Sequence, residues 1–124
     1  MHARVTVAAL TIGASALAGC SSPPPDEPPP AYTVTRRIDS GNYIDIEVAV
    51  DRNHRLRDVF DRVLADNAGS SGYFITITCG ADGPNNMRAL ALGKMATDEA
   101  GAYYTGLLSA GMYRFDPVRG ASCP

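Results

Sequence analysis

Ile44-Asp45-Ile46-Glu47-Val48-Ala49-Val50, followed after a short link by Leu56-Arg57-Asp58-Val59-Phe60-Asp61-Arg62-Val63-Leu64, decides the fold class of this chain. In the first stretch Ile44, Ile46, Val48 and Val50 alternate with Asp45, Glu47 and Ala49, which predicts a strand with one buried and one wet face. In the second, Leu56, Val59, Phe60, Val63 and Leu64 recur at helical spacing and form one apolar stripe on a polar cylinder. Asn53 is placed to cap that helix, and the Gly- and Ser-rich residues 69–72 end it. Asp58 precedes Arg62 by four residues, the orientation in which an acid–base pair supports a helix.

Working outward, Tyr32-Thr33-Val34-Thr35-Arg36-Arg37-Ile38 is β-branched and aromatic, a strand with Tyr32, Val34 and Ile38 on its apolar side. Asp39-Ser40-Gly41-Asn42 links it to Ile44 by a short turn, which predicts an antiparallel hairpin. Downstream, Tyr73-Phe74-Ile75-Thr76-Ile77-Thr78-Cys79 is a further strand with Tyr73, Ile75, Ile77 and Cys79 on one face. Residues 80–86 read as loop. Residues 87–96 read as a strand, 100–108 as a strand or a short helix, and 112–115 as a short last strand before Asp116-Pro117. The expected fold is α+β in the order β-β-α-β-β-β: a small, mainly antiparallel sheet with one amphipathic helix packed on one face. No internal repeat is visible.

The residues before Tyr32 have a different character. Arg4 and the N-terminal amine precede an apolar run over residues 5–17, too short to span a bilayer and flanked like a secretory signal. Six of the nine prolines fall in Pro23-Pro24-Pro25-Asp26-Glu27-Pro28-Pro29-Pro30. Proline fixes φ and removes a donor, so this stretch favours polyproline II over helix or sheet. At about 3.1 Å per residue, residues 21–31 make a semi-rigid spacer of about 34 Å. The chain thus divides into a leader (1–19), a tether (20–31) and one folded domain (32–124).

The formal charge of −2 excludes a strongly basic nucleic-acid binder. Of three cysteines, Cys20 lies at the end of the leader, and Cys79 and Cys123 remain in the domain. An even count in an exported domain predicts a Cys79–Cys123 disulfide, the alternatives being a free buried thiol or a redox pair. Closing a loop of about 45 residues stabilises by about 4 kcal/mol in the chain-entropy model.

Residues with catalytic potential are few. His54 is the only histidine outside the leader, and no serine sits in a Gly-x-Ser-x-Gly elbow. One histidine and two bridged cysteines do not make a zinc set, so no metal and no cofactor are expected. Asp45 and Glu47 share the wet face of a strand, with Asp51 just beyond. A solvated strand face explains them, and half of a glycosidase carboxylate pair or a weak calcium site is the alternative. Gly93-Lys94 lacks the spacing of a phosphate loop. Tyr103, Tyr104 and Tyr113, near Phe115, are the one aromatic cluster and the candidate binding surface, aromatics in a sheet being otherwise core.

Leu17-Ala18-Gly19-Cys20 resembles the lipobox of bacterial lipoproteins at all four positions. The resemblance implies cleavage before Cys20, diacylglycerol on its sulfur, acylation of its new amine, and a location on the extracytoplasmic face of the cell membrane. Leu92-Gly93-Lys94, Gly101-Ala102, Thr105-Gly106-Leu107, Phe115 and Cys123-Pro124 are similar to small lipoproteins of actinobacteria and their phages that carry no assigned activity. Arg outnumbers Lys ten to one, which suits a GC-rich genome. The expected function is a non-enzymatic, lipid-anchored, monomeric interaction module with a protein partner in the cell envelope. Two alternatives are a prophage-encoded superinfection-exclusion lipoprotein, by analogy with phage lipoproteins, and an envelope hydrolase using His54 or the Asp45/Glu47 strand.

Overall fold

The computed structural model describes residue 28, residues 30–80 and residues 88–123. The expected leader, the lipobox-like Leu17-Ala18-Gly19-Cys20 stretch, most of the expected tether and most of the loop expected at 80–86 lie outside the described residues. Seven elements follow in order: β1 (Thr33–Asp39), β2 (Ile44–Val50), α1 (Leu56–Asp66), β3 (Gly72–Cys79), β4 (Ala89–Ala96), α2 (Glu99–Thr105) and β5 (Tyr113–Pro117). The strands form one sheet in sequence order, antiparallel except for β2 and β3, which run parallel because α1 returns the chain between them. The fold is α+β with a mostly antiparallel sheet.

The core forms where the alternation of β2 meets the stripe of α1. Ile44, Ile46, Val48 and Val50 pair in register with Tyr73, Ile75, Ile77 and Cys79, and all eight are buried on the α1 side. Leu56, Val59, Phe60 and Val63 close over them. Helix α1 crosses the sheet obliquely. Phe60 lies on the backbone of Gly93 in β4, and a Cβ there would collide with its ring, 2.2 Å from Cε2. At the other end, the Tyr32 hydroxyl donates to Asp66, and Arg37 Nε donates to Asn67 Oδ1 at 3.3 Å. Burial, reinforced by the Asp66 carboxylate, pushes the Tyr32 hydroxyl up to about 12.

Cys79 and Cys123 are bridged, with Cα atoms 5.4 Å apart. The bridge ties the C-terminal tail to the middle strand of the five.

Several local expectations change. A bulge between Val34 and Arg36 shifts the register of β1, so Val34 pairs with Val48 on the core side and Ile38 with Asp45 on the other. The expected apolar side of Tyr32, Val34 and Ile38 is therefore divided, and all of β1 is exposed. Asn53 does not cap α1. The cap position is Arg55, with left-handed backbone (φ 51°) and no side-chain cap bond, while Asn53 Nδ2 donates to the Ala121 carbonyl. Asp58 pairs with Arg55 at 2.7 Å rather than with Arg62, whose guanidinium is 3.8 Å from Asp66. Residues 100–108, open between strand and helix, hold all of α2 but its first residue, Glu99, and α2 is a second helix on the sheet.

Helix α2 packs on the sheet face opposite α1. Gly101 stands so close to Ser71 and Gly72 that a Cβ would collide with the Ser71 carbonyl. Asp98 caps the helix, accepting from Gly101 N–H at 2.8 Å and from Ser71 Oγ at 2.7 Å. The Gly101 N–H, and after it the Ser71 hydroxyl, hold the Asp98 carboxyl below the usual carboxylate range.

Candidate functional site

Strand direction gives the domain two distinct ends. The chain enters at the start of β1, beside the ends of β2 and β3 and the tail bridged to Cys79. At the other end lie the β1–β2 turn, the start of β3 and helix α2.

Among the described residues, the far end carries the most exposed large apolar side chains, Tyr103 at 82% and Leu108 at 90%. They arise from how α2 packs. Its inward residues Gly101, Ala102 and Thr105 are small, so the helix sits close to the backbone of β3 and leaves Tyr103 outside. Tyr104 is edge-on to Tyr103 with ring centres 5.2 Å apart, and 6.0 Å from Tyr43, which meets Phe74 at 5.4 Å. Tyr103, Leu107 and Leu108, with Glu99, Ala102, Ser109 and Ala110, frame a depression of about 510 Å³. Lys94 Nζ donates to the Thr105 carbonyl at 3.2 Å and lies 5.6 Å from the Phe74 ring centre, which ties the end of α2 to β4.

Tyr113 does not join this group. It pairs with Met95, which pairs with Tyr73, so it belongs to the α1 face. There the Arg57 guanidinium stacks 4.2 Å from its ring centre, and Phe60 stands 6.4 Å away. The expected surface of three tyrosines thus holds two, Tyr103 and Tyr104. Leu108, which the sequence reading did not single out, is exposed beside Tyr103. Its signal was an apolar Leu107-Leu108 pair just past Gly106, in a segment otherwise reading as turn.

His54 is exposed in the loop between β2 and α1. With Val50, Asp51, Arg52, Arg55, Pro28, Pro30 and Ala31 it lines a cleft of about 390 Å³ at the entry end. Asp45 and Glu47 lie along β2 on the face away from α1. The Arg36 guanidinium reaches both, at 3.4 Å and 3.9 Å, and Thr35 Oγ1 donates to Glu47 Oε1 at 3.0 Å. The two carboxylates flank one cation on one strand rather than facing each other across a cavity. Asp51 is at the other end of that strand, so the three acids do not converge. Among the described residues no group of three His, Cys, Asp or Glu could hold a metal ion, and no helix is long and apolar enough to cross a membrane. Comparison with family models, with curated proteins and with solved structures finds no match to this chain.

Proposed function

We propose that this chain is a small extracytoplasmic interaction module, held at a membrane by lipid on Cys20 and meeting an envelope protein through the end that carries Tyr103, Tyr104 and Leu108. One observation carries the reading: among the described residues, the most exposed large apolar side chains stand at the end of the sheet opposite the start of β1. A domain held by its N-terminus presents that end outward. The Leu17-Ala18-Gly19-Cys20 sequence supports the anchor, and Cys20 is the one cysteine left over by the Cys79–Cys123 bridge.

The magnitudes favour a weak contact strengthened by confinement. Fully burying a side chain of this size stabilises by about 1.5–3 kcal/mol, whereas association costs at least about 4 kcal/mol. Two or three such side chains do not overcome that cost by a wide margin. Shared attachment to one membrane raises the effective concentration and shifts the balance toward the complex.

The test uses cells expressing the full chain. A photo-crosslinking residue at 103 or 108 should capture a discrete envelope protein, and one at 119 should not. Radiolabelled fatty acid should enter the native chain but not the Cys20→Ser variant. Equal capture from both ends would defeat the assignment of the surface, and lipid retained by Cys20→Ser would defeat the anchor.

A further inference from the structure

We propose that the β5 edge of the sheet pairs two copies of this chain, antiparallel and centred on Phe115, in place of the monomer expected from sequence. Strand β5 is an edge strand, and its ladder with β4 runs from Tyr113 to Pro117 without a shift. Flanking bonds fix which way its backbone faces. Ala96 N–H donates to the Met112 carbonyl at 3.0 Å, and Val118 N–H to the Leu90 carbonyl at 2.8 Å. Antiparallel pairs alternate, so Arg114 and Asp116 also turn their backbone groups to β4, while Tyr113, Phe115 and Pro117 turn theirs outward. Among the described residues, no hydrogen bond reaches those outward groups.

The side chains select the register. Tyr113 and Phe115 face α1, where Phe115 meets Phe60 with ring centres 5.4 Å apart. Arg114 and Asp116 are exposed on the opposite face, with Nε 2.7 Å from Oδ2. Centring the pair on Phe115 sets Arg114 opposite Asp116 of the second copy, and Asp116 opposite its Arg114. The charges then alternate in sign around a square. Centring on Arg114 or on Asp116, which the backbone alone permits, opposes like charges and is destabilising. In the favoured register Phe115 exchanges N–H and C=O bonds with its counterpart, and each Tyr113 N–H meets a Pro117 carbonyl. Pro117 has no N–H, so only the Tyr113 carbonyl, at the solvent-exposed end, is left to water. The other edge is less suited. In β1 a bulge between Val34 and Arg36 interrupts the outer row, and Arg36-Arg37 places two cations side by side.

The twofold axis is normal to the sheet, so both α2 helices stand on one face of a continuous sheet and two Tyr103–Leu108 surfaces are offered together. A five-residue edge falls short of the about 1,600 Å² of a standard stable interface, so the pairing is weak in dilute solution and forms where copies are concentrated.

Differently tagged full-length copies, co-expressed in cells, test the register by disulfide trapping. Opposed residues of a non-hydrogen-bonded pair have Cα atoms about 4.5 Å apart, within disulfide reach. Arg114→Cys in one copy and Asp116→Cys in the other should link several-fold more than Arg114→Cys in both, with the Cys79–Cys123 bridge intact by peptide mapping. No link, or equal yields, would overturn the proposal. Amine cross-linking through Lys94, the chain's only lysine and the strand neighbour of Arg114, tests the charges. The linked dimer should fall several-fold when both copies carry Arg114→Asp, and return when one carries Arg114→Asp and the other Asp116→Arg. No fall, or a fall without return, would overturn the pairing. Both side chains are exposed, so neither substitution threatens the fold.

Discussion

The two helices lie on opposite faces of the same sheet and pack by opposite means. Helix α1 turns its large side chains inward: Phe60 rests on Gly93, with Val59 and Val63 fully buried beside it. Helix α2 turns its small residues inward, Gly101 meeting the Ser71–Gly72 backbone, and leaves Tyr103 in solvent. In the first case the glycine is in the sheet and the bulk in the helix. In the second both partners are small and contact is between backbones. A helix seated on glycine, alanine and threonine keeps its aromatic residues available for something outside the domain.

The largest expected effect breaks the α1 side. Phe60→Ala removes a fully buried ring and should cost about 3–5 kcal/mol in denaturant unfolding. Gly93→Ala should be strongly destabilising in the native chain and markedly less so in the Phe60→Ala background, because the added methyl then enters vacated space. Additive costs would mean that ring and glycine do not meet.

Gly101→Ala is the equivalent break on the α2 side. Overpacking costs about 1–3 kcal/mol, and here the obstacle is backbone that cannot rotate away. Hydrogen exchange should quicken in α2 while α1 stays protected. Uniform loss of protection would show that the helices are not separable.

Acid should sharpen the contrast further. The Asp98 carboxyl titrates below its ordinary range in the folded protein, so its contribution is complete above the unfolded value and is lost as pH falls through the lower folded value. Protection of the Gly101 amide, measured against its intrinsic exchange rate at each pH, should fall in that window, and Asp98→Asn should move or abolish the fall. Unchanged protection would mean the cap bond is dispensable.

The smallest effect is expected where function is proposed. Tyr103→Ala and Leu108→Ser should each alter stability by no more than about 0.5 kcal/mol, because neither side chain is buried. They should nevertheless abolish partner capture. A large loss of stability at either site would reassign it to the core.

The same contrast explains what the sequence disclosed. Helix α1 was legible because large apolar residues at helical spacing are the signal that periodicity carries. Helix α2 was not, because Gly101, Ala102 and Thr105 write no apolar period, and the outward Tyr103-Tyr104 pair reads equally well as strand. The buried faces of β2 and β3 followed from strict alternation. The split of Val34 from Ile38 did not, since the bulge between Val34 and Arg36 reverses facing without a mark in composition. The Cys79–Cys123 bridge followed from counting. Tyr113 was grouped with Tyr103 and Tyr104 by residue type, and only strand pairing shows that it faces the other way. The cleft beside His54 joins the β2–α1 loop to residues preceding β1, a meeting that no local pattern encodes.

The direction of β1 has a mechanical consequence. If the chain is restrained at its N-terminus and its far end is held by a partner, tension runs along the strand axis, from the start of β1 toward the Tyr103 end. Antiparallel β1 and β2, paired from Thr33 to Asp39, are then loaded in shear. Their hydrogen bonds must yield together rather than one at a time, as they would if the strand were peeled from the edge. The exposed edge strand would be the force-bearing one, and a pull along its axis would shear rather than unzip the sheet.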